Sequence, residues 1–385
     1  MSELASESSA QRGLPAADHE ELRELQGSLR RFLSEKAPVA SVRQWMDADT
    51  GHDPAVWAQM ADQLGLPGIA VPEEFGGQGF GAVEQAVVLE ELGRVLAGAP
   101  FLASAAFAGQ ALVMSDDAEA RQRWLPGIAD GSLTATVAVR EDTCGWDGES
   151  LSTVAEPAAE GFTLTGTKTL VINGEIADLL LVAARAPDGP ALFAVVPGDG
   201  VTQTRLAVLD PTRRLARVEL AAAPAHRIAA PAGHLRAVLD CALVAVAAEQ
   251  VGGAQACLDM AVEYAKVRVQ FGRPIGSFQA IKHKCADMLL QLEAGRSALQ
   301  HATAVVADGV GGHELSAAAA ACAAWCGPAF THIAKETIQV HGGIGYTWEH
   351  DAHLYLKRAK SSELLFGSPT EHRARLAGLV GIGAA

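Results

Sequence analysis

The sequence predicts an α+β protein in three parts: an N-terminal helical domain, a middle β domain and a C-terminal helical bundle. Three observations lead there. Apolar residues recur at three- and four-residue steps up to about residue 130, and again after about residue 232. Between these regions lie short β-rich runs separated by Gly, Asp, Asn and Pro. A chain of 385 residues with 49% hydrophobic and 19% charged residues also has ample material for buried cores.

Taken in order, residues 1–17 are rich in Ser, Ala and Glu and read as a loose tail. The N-terminal helical domain spans 18–130. Leu22, Leu25, Leu29 and Phe32 mark one helix, and Trp57, Met60 and Leu64 another. A loop dense in Gly and Pro follows, from Gly65 to Gly81, and helix resumes over Val83–Ala97. The middle domain spans 131–232. Its runs LTATVAV, FTLTG, TKTLVI, LLLVAA and ALFAVV predict a small sandwich or barrel. The bundle spans 233–385. Val251, Ala254, Leu258, Ala261 and Ala265 mark its first long helix, Phe278, Ile281, Cys285, Met288 and Leu292 its second, and an Ala-rich stretch over 316–340 its third.

Charge and composition narrow the function. The net charge of −15 argues against a nucleic-acid partner, which needs basic patches to neutralise phosphates. The six cysteines form no C-x-x-C pair and read as reduced core thiols of a cytoplasmic protein, with no metal site. The N-terminus lacks the basic start and apolar run of a signal peptide, and no apolar stretch reads as a clean membrane span. The motifs G-x-G-x-x-G, GxxxxGK[ST], G-x-S-x-G and H-E-x-x-H are all missing, which sets aside the common nucleotide-binding, hydrolase and zinc-protease chemistries.

Three stretches carry chemistry. Arg268 stands at a helix end before a Gly/Pro turn, with Phe278 and Gln279 opening the next helix. An Arg placed there forks onto a diphosphate, or else caps its own helix. Gln339, Val340, His341, Gly342 and Gly343 end a helix in a turn whose bare backbone admits close approach of a phosphorylated ligand, or simply stops the helix. Glu249 follows an apolar run in which Asp240 is the only charge. A carboxylate in such a helix is either a general base with a raised pKa or half of a buried ion pair.

Together these stretches resemble the acyl-CoA dehydrogenase family, and the resemblance covers nearly the whole chain. LGLPGIAVPEEFGGQG is similar to the family's N-domain signature, EYAKVRVQFGRPIGSFQAIKHKCADM to its C-domain signature, and QVHGGIGYTWEHDAHLYLKRAK to its C-terminal signature. LTGTKTLVINGEIADLLLVAAR matches the family's β domain in frame. The resemblance implies FAD, an acyl-CoA substrate, oxidation of its Cα–Cβ bond, a homo- or hetero-tetramer, and an electron-transfer flavoprotein as acceptor. It assigns Arg268, Phe278, Gln279 and the 339–343 turn to the FAD of a neighbouring subunit.

Other positions depart from the family pattern. Phe366 stands where the catalytic Glu precedes a Gly, and Ala242 stands at a second base position used by some members. The loop usually reading T-E-P-G-A-G-S-D runs from Arg140 to Asp147 and keeps only Glu141, Gly145 and Asp147. Leu170 and Ile172 replace the Trp and Thr that line the flavin. The chain's own flavin half-site is thus eroded while the half-site for a neighbour is kept. Two readings follow: a working dehydrogenase using Glu249, or a catalytically silent, FAD-supporting partner in an α2β2 dehydrogenase. The second is similar to actinobacterial enzymes that act on steroid side-chain CoA esters. A non-enzymatic acyl-CoA- or flavin-binding protein is a third. The missing Trp and the many small residues predict a roomy acyl pocket.

Overall fold

The structure is a computed structural model that describes residues 19–382 apart from 144 and 149. The stretch 1–17 and Cys144 lie outside the described residues. The chain opens with α1 (His19–Lys36), α2 (Val39–Trp45), α3 (Pro54–Leu64) and α4 (Ala82–Arg94). Asp53 caps α3 by accepting from the Ala55 N–H, and Gly65 ends it in a left-handed conformation. A fully buried π-helical segment, Leu102–Gly109, runs into α5 (Gln110–Val113), and α6 (Ala118–Ala129) follows.

The middle part holds β1 (Ala135–Ala138), β2 (Val154–Pro157), β3 (Phe162–Ile172), β4 (Leu179–Ala186), β5 (Gly189–Val195), β6 (Val201–Arg205) and β7 (Leu215–Arg227). Strand order is β1-β4-β2-β3-β7-β5, with β6 beside β7. A further β4–β5 pairing closes this path on itself, so the sheet is barrel-like. Leu164, Leu180, Val182, Phe193, Val195 and Val218 fill its interior. Sequence periodicity misses β2, β6 and β7. The 13-residue β7 is rich in Ala and carries Pro224, both weak strand formers, so its order comes from β3, β5 and β6 on either side.

The last part holds α7 (His234–Val267), a hairpin of β8 (Val269–Gln270) and β9 (Arg273–Pro274), α8 (Gln279–Ala307), α9 (Gly312–His341), α10 (Ala352–Leu364) and α11 (Pro369–Leu379). Small residues let its helices touch. A Cβ on Gly252 would lie 1.9 Å from the Glu90 carbonyl, and one on Gly93 would lie 2.2 Å from the Glu249 carbonyl. α4 and α7 therefore cross backbone to backbone.

By length and composition, α7 and the helix continuing from α9 to Tyr346 are apolar enough to cross a membrane. Their apolar windows are 94% and 67% buried inside the fold, so that apolarity serves core packing. Among the described cysteines, all five are free thiols, but Cys285 is only half-buried.

One loop ties the three parts together. Between β6 and β7, Asp210 accepts from the Arg358 Nε of α10 at 2.9 Å, and Arg358 also donates to Thr212. Arg213 ion-pairs with Glu249 of α7, and Arg214 donates to the Ala48 carbonyl beyond α2.

Candidate functional site

One end of the bundle gathers most of the residues singled out above. α7 ends where the Arg268 N–H donates to the Tyr264 carbonyl at 2.9 Å, and the Arg268 backbone turns to an extended conformation. The β8–β9 hairpin turns through Phe271 and Gly272, both at positive φ (53° and 76°). The Arg268 side chain is exposed, and among the described residues it makes no hydrogen bond or ion pair. It does not cap its helix. Phe278 is half-buried beneath the Arg273 guanidinium, 4.1 Å from its ring centroid, and Gln279 is the exposed first residue of α8.

α9 runs antiparallel to α8. A Lys284–Glu336 ion pair and a Trp325 Nε1–Gln291 carbonyl bond fix their register, which carries Gln279 to the level of His341. α9 stops because Gly342 takes φ 65°, ψ −140°, a conformation that side chains rarely adopt. Gln339, Gly342 and Gly343 are exposed, and a Cβ at either glycine would meet nothing within 4 Å. Val340 and His341 are buried. The His341 ring stacks on Tyr264 at 4.3 Å and faces His350 at 4.3 Å. Val340 and His341 therefore shape the turn from within, while Arg268, Gln279, Gln339 and the two glycines form its open surface. Arg268, Arg273 and Lys282 are unpaired with acids among the described residues, on a chain of net charge −15. That local excess of cations suits a diphosphate.

The other half-site has a different character. Glu141 and Lys168 form a fully buried pair at 2.7 Å, and the Ser152 and Thr153 N–H groups also donate to the carboxylate. These hydrogen bonds outweigh burial and hold the Glu141 carboxyl down at about 2. Beside it, the Arg140 guanidinium stands 5.9 Å over the Trp146 ring. Trp146 packs at 4.7 Å against Phe366, and Phe366 packs edge-on at 5.1 Å against Phe107 of the π-helical segment. A cleft of about 440 Å³ remains between Arg140, Trp146, Gly367, Ser368 and Glu371. Leu170 sits at positive φ in the bulged part of β3, and Ile172 is buried.

Glu249 is not a lone carboxylate. It is buried and ion-paired to the equally buried Arg213, the second of the two alternatives its sequence setting left open. Phe366 and Ala242 are buried apolar residues. Packing is tight where α4, α5 and α7 meet. The void lined by Gln85, Leu89, Gln110, Cys241 and Val244 is about 20 Å³, space for about one water. Small residues here draw helices together instead of opening a pocket.

Periodicity could not reveal the Trp146–Phe366–Phe107 cluster or the Arg213 partner, because each joins residues far apart in the chain. The one sequence signal is the Arg213-Arg214 pair beside Asp210, two adjacent cations that demand partners once buried.

Comparison with known proteins agrees with this architecture. Models of the acyl-CoA dehydrogenase N-terminal and C-terminal domains match residues 19–132 and 235–378. The acyl-CoA dehydrogenase IpdE2 of Mycobacterium tuberculosis is 36% identical over 363 residues, covering 94% of this chain and 97% of that protein. The structure of a Tcur3481–Tcur3483 steroid acyl-CoA dehydrogenase variant superposes with a TM-score of 0.88 at 34% identity, over 95% of this chain and 99% of that one. The ChsE4–ChsE5 complex from Mycobacterium tuberculosis gives a TM-score of 0.88 at 30% identity, over 96% and 99%. The chain belongs to the acyl-CoA dehydrogenase family. Members of this family are oxidoreductases that bind FAD. At the α7–α9 end, the free guanidinium and bare glycine backbone fit the ADP half of that cofactor. On the β-domain side, Arg140, Trp146 and Phe366 pack against one another beside the cleft of about 440 Å³.

Proposed function

We propose that this chain is the FAD-supporting, catalytically silent subunit of an α2β2 acyl-CoA dehydrogenase that oxidises a steroid side-chain CoA ester. One observation carries this reading: Phe366, at the family's base position, is buried in an aromatic cluster with Trp146 and Phe107. The phenyl ring at that position cannot take an α-proton, and Glu249 is ion-paired to Arg213. Arg268, Phe278, Gln279 and the 339–343 turn serve a cofactor whose flavin ring lies in a partner subunit. When bound, FAD accepts hydride from the substrate β-carbon. This chain's part is to hold the diphosphate on Arg268 and the open turn, and to close one side of the partner's site. The steroid assignment draws on the steroid acyl-CoA dehydrogenase neighbours. The heteromeric assembly draws on the ChsE4–ChsE5 complex. A cytoplasmic location and electron transfer to an electron-transfer flavoprotein complete the proposal.

The test is co-expression with a dehydrogenase subunit of the same genome that carries Glu before the glycine. The expected result is a colourless chain alone, and a yellow heterotetramer that oxidises acyl-CoA. A yellow, active protein made of this chain alone would overturn the proposal.

A further inference from the structure

We propose that His341 is a positioning residue for the cofactor turn that works only as a neutral ring, so that acid loosens FAD from this edge. The inference rests on the reading of the α7–α9 end as a half-site for FAD, and goes beyond it.

His341 occupies the middle of the 339–343 turn, yet its side chain is buried and its ring faces the fold. Its Nδ1 lies 2.7 Å from the Thr337 carbonyl, which makes that nitrogen the donor. One face of the ring stacks on Tyr264, at 4.3 Å with planes 28° apart. His350 lies on it at 4.3 Å. The stack has a structural consequence. The Tyr264 carbonyl accepts the Arg268 N–H that ends α7. Ring contacts from Tyr264 through His341 to His350 thus join the helix end that presents Arg268, the turn that presents Gly342 and Gly343, and the segment that follows the turn.

The groups around these rings decide how they respond to protons. From α7 the Tyr264 ring packs on His341, and the Cys257 carbonyl accepts from Thr337 below it. The segment after the turn offers His350 and, behind it, Asp351, whose carboxylate is already held by Arg43 of α2 at 2.7 Å. α10 adds His353, in contact with Arg43 and Trp348, and Lys357, 4.2 Å over the Trp348 ring. No free carboxylate among the described residues faces His341. Burial lowers the pKa of His341, the hydrogen bond to the Thr337 carbonyl opposes it, and nearby His350 lowers it further, with a net fall. Burial likewise lowers His350, with Arg43 adding to it against Asp351.

The sign follows from that direction. A His whose folded pKa is depressed favours the neutral form, so its contribution is full above the usual value near 6.5 and is lost as pH falls below it. Two imidazoliums with ring centroids 4.3 Å apart repel, and the contacts that set the turn loosen. A cofactor and partner covering the turn deepen the burial and tie FAD affinity to the neutral ring.

The experiment measures the FAD dissociation constant of the assembled complex by flavin fluorescence at pH 7.5 and 5.5. It compares wild type, His341→Phe, His341→Ala and Arg268→Ala. Phenylalanine keeps the stack and cannot take a proton. The expected results are several-fold weaker binding at the lower pH for wild type and a change under about twofold for His341→Phe. His341→Ala binds weakly at both pH values. As a second measure, wild-type chain alone loses melting temperature below about pH 6.5 to an extent that His341→Phe does not. A His341→Phe profile that follows wild type, a flat wild-type profile, or a His341→Ala variant indistinguishable from wild type each overturns the proposal. If Arg268→Ala leaves FAD binding intact at pH 7.5, the half-site reading itself fails. If Arg268→Ala releases FAD while His341→Phe behaves as wild type, only the role of His341 fails.

Discussion

Replacing Glu249 by Gln separates the two readings of that residue. Both members of the Glu249–Arg213 pair are buried, with side chains 8% and 6% exposed. Removing one charge leaves a guanidinium without its counter-charge, and breaking a buried pair from one side costs about 3–5 kcal/mol. The unfolding entropy of about 2.1 cal/mol/K per residue gives a chain of this size about 0.8 kcal/mol/K, so that loss lowers the melting temperature by about 4–6 °C. The assay is thermal unfolding of the purified chain, followed by turnover of the assembled complex with an artificial electron acceptor. The expected outcome is a lower melting temperature, with turnover per folded, FAD-loaded complex unchanged within a few-fold. If instead the melting temperature holds while turnover falls about 10²–10⁴-fold, the signature of a lost general base, Glu249 is catalytic and the structural argument is wrong.

Three further outcomes are open to measurement. Arg268→Ala weakens FAD retention by about 1.5–3 kcal/mol and Arg268→Lys recovers only part of it, because an ammonium cannot fork onto a diphosphate; flavin fluorescence on dilution measures both. Phe366→Ala opens a cavity between Phe107 and Trp146 and costs about 3–5 kcal/mol by denaturant unfolding, without conferring activity. The Glu141 carboxyl, held at about 2 in the fold against an ordinary 4.5, gives stability that is full above pH 4.5 and is lost as pH falls towards 2. Lys168→Met should flatten that part of the acid-unfolding curve.

Much of the fold was legible because long helices repeat themselves. Leu22, Leu25, Leu29 and Phe32 mark α1, and the steps from Val251 to Ala265 mark the second half of α7. β7 was not legible, since its Ala-rich face takes strand form only between neighbours. The open edge was readable because Arg268, Gln279 and the glycine turn act through local backbone geometry. The closed half-site was readable only as a set of departures. That Trp146 folds onto Phe366, and that Glu249 meets Arg213, depend on contacts across more than 200 and 30 residues of chain respectively, which no local pattern encodes. The inward packing of the His341 ring on Tyr264 had no local sequence signal.

The loop between β6 and β7 has a consequence for how the molecule comes apart. Asp210, Arg213 and Arg214 sit within five residues, yet their partners belong to α10, α7 and the segment after α2. A chain stitched through so short a segment has no natural seam. Cutting it at the borders of the sheet strands buried charges on every piece, so neither the barrel nor the bundle is a candidate for independent expression. A barrel grafted into this chain would need an acid and two cations in this loop to satisfy Arg358, Glu249 and the Ala48 carbonyl. Changing the chemistry of this protein therefore means substituting side chains within the cleft rather than exchanging modules.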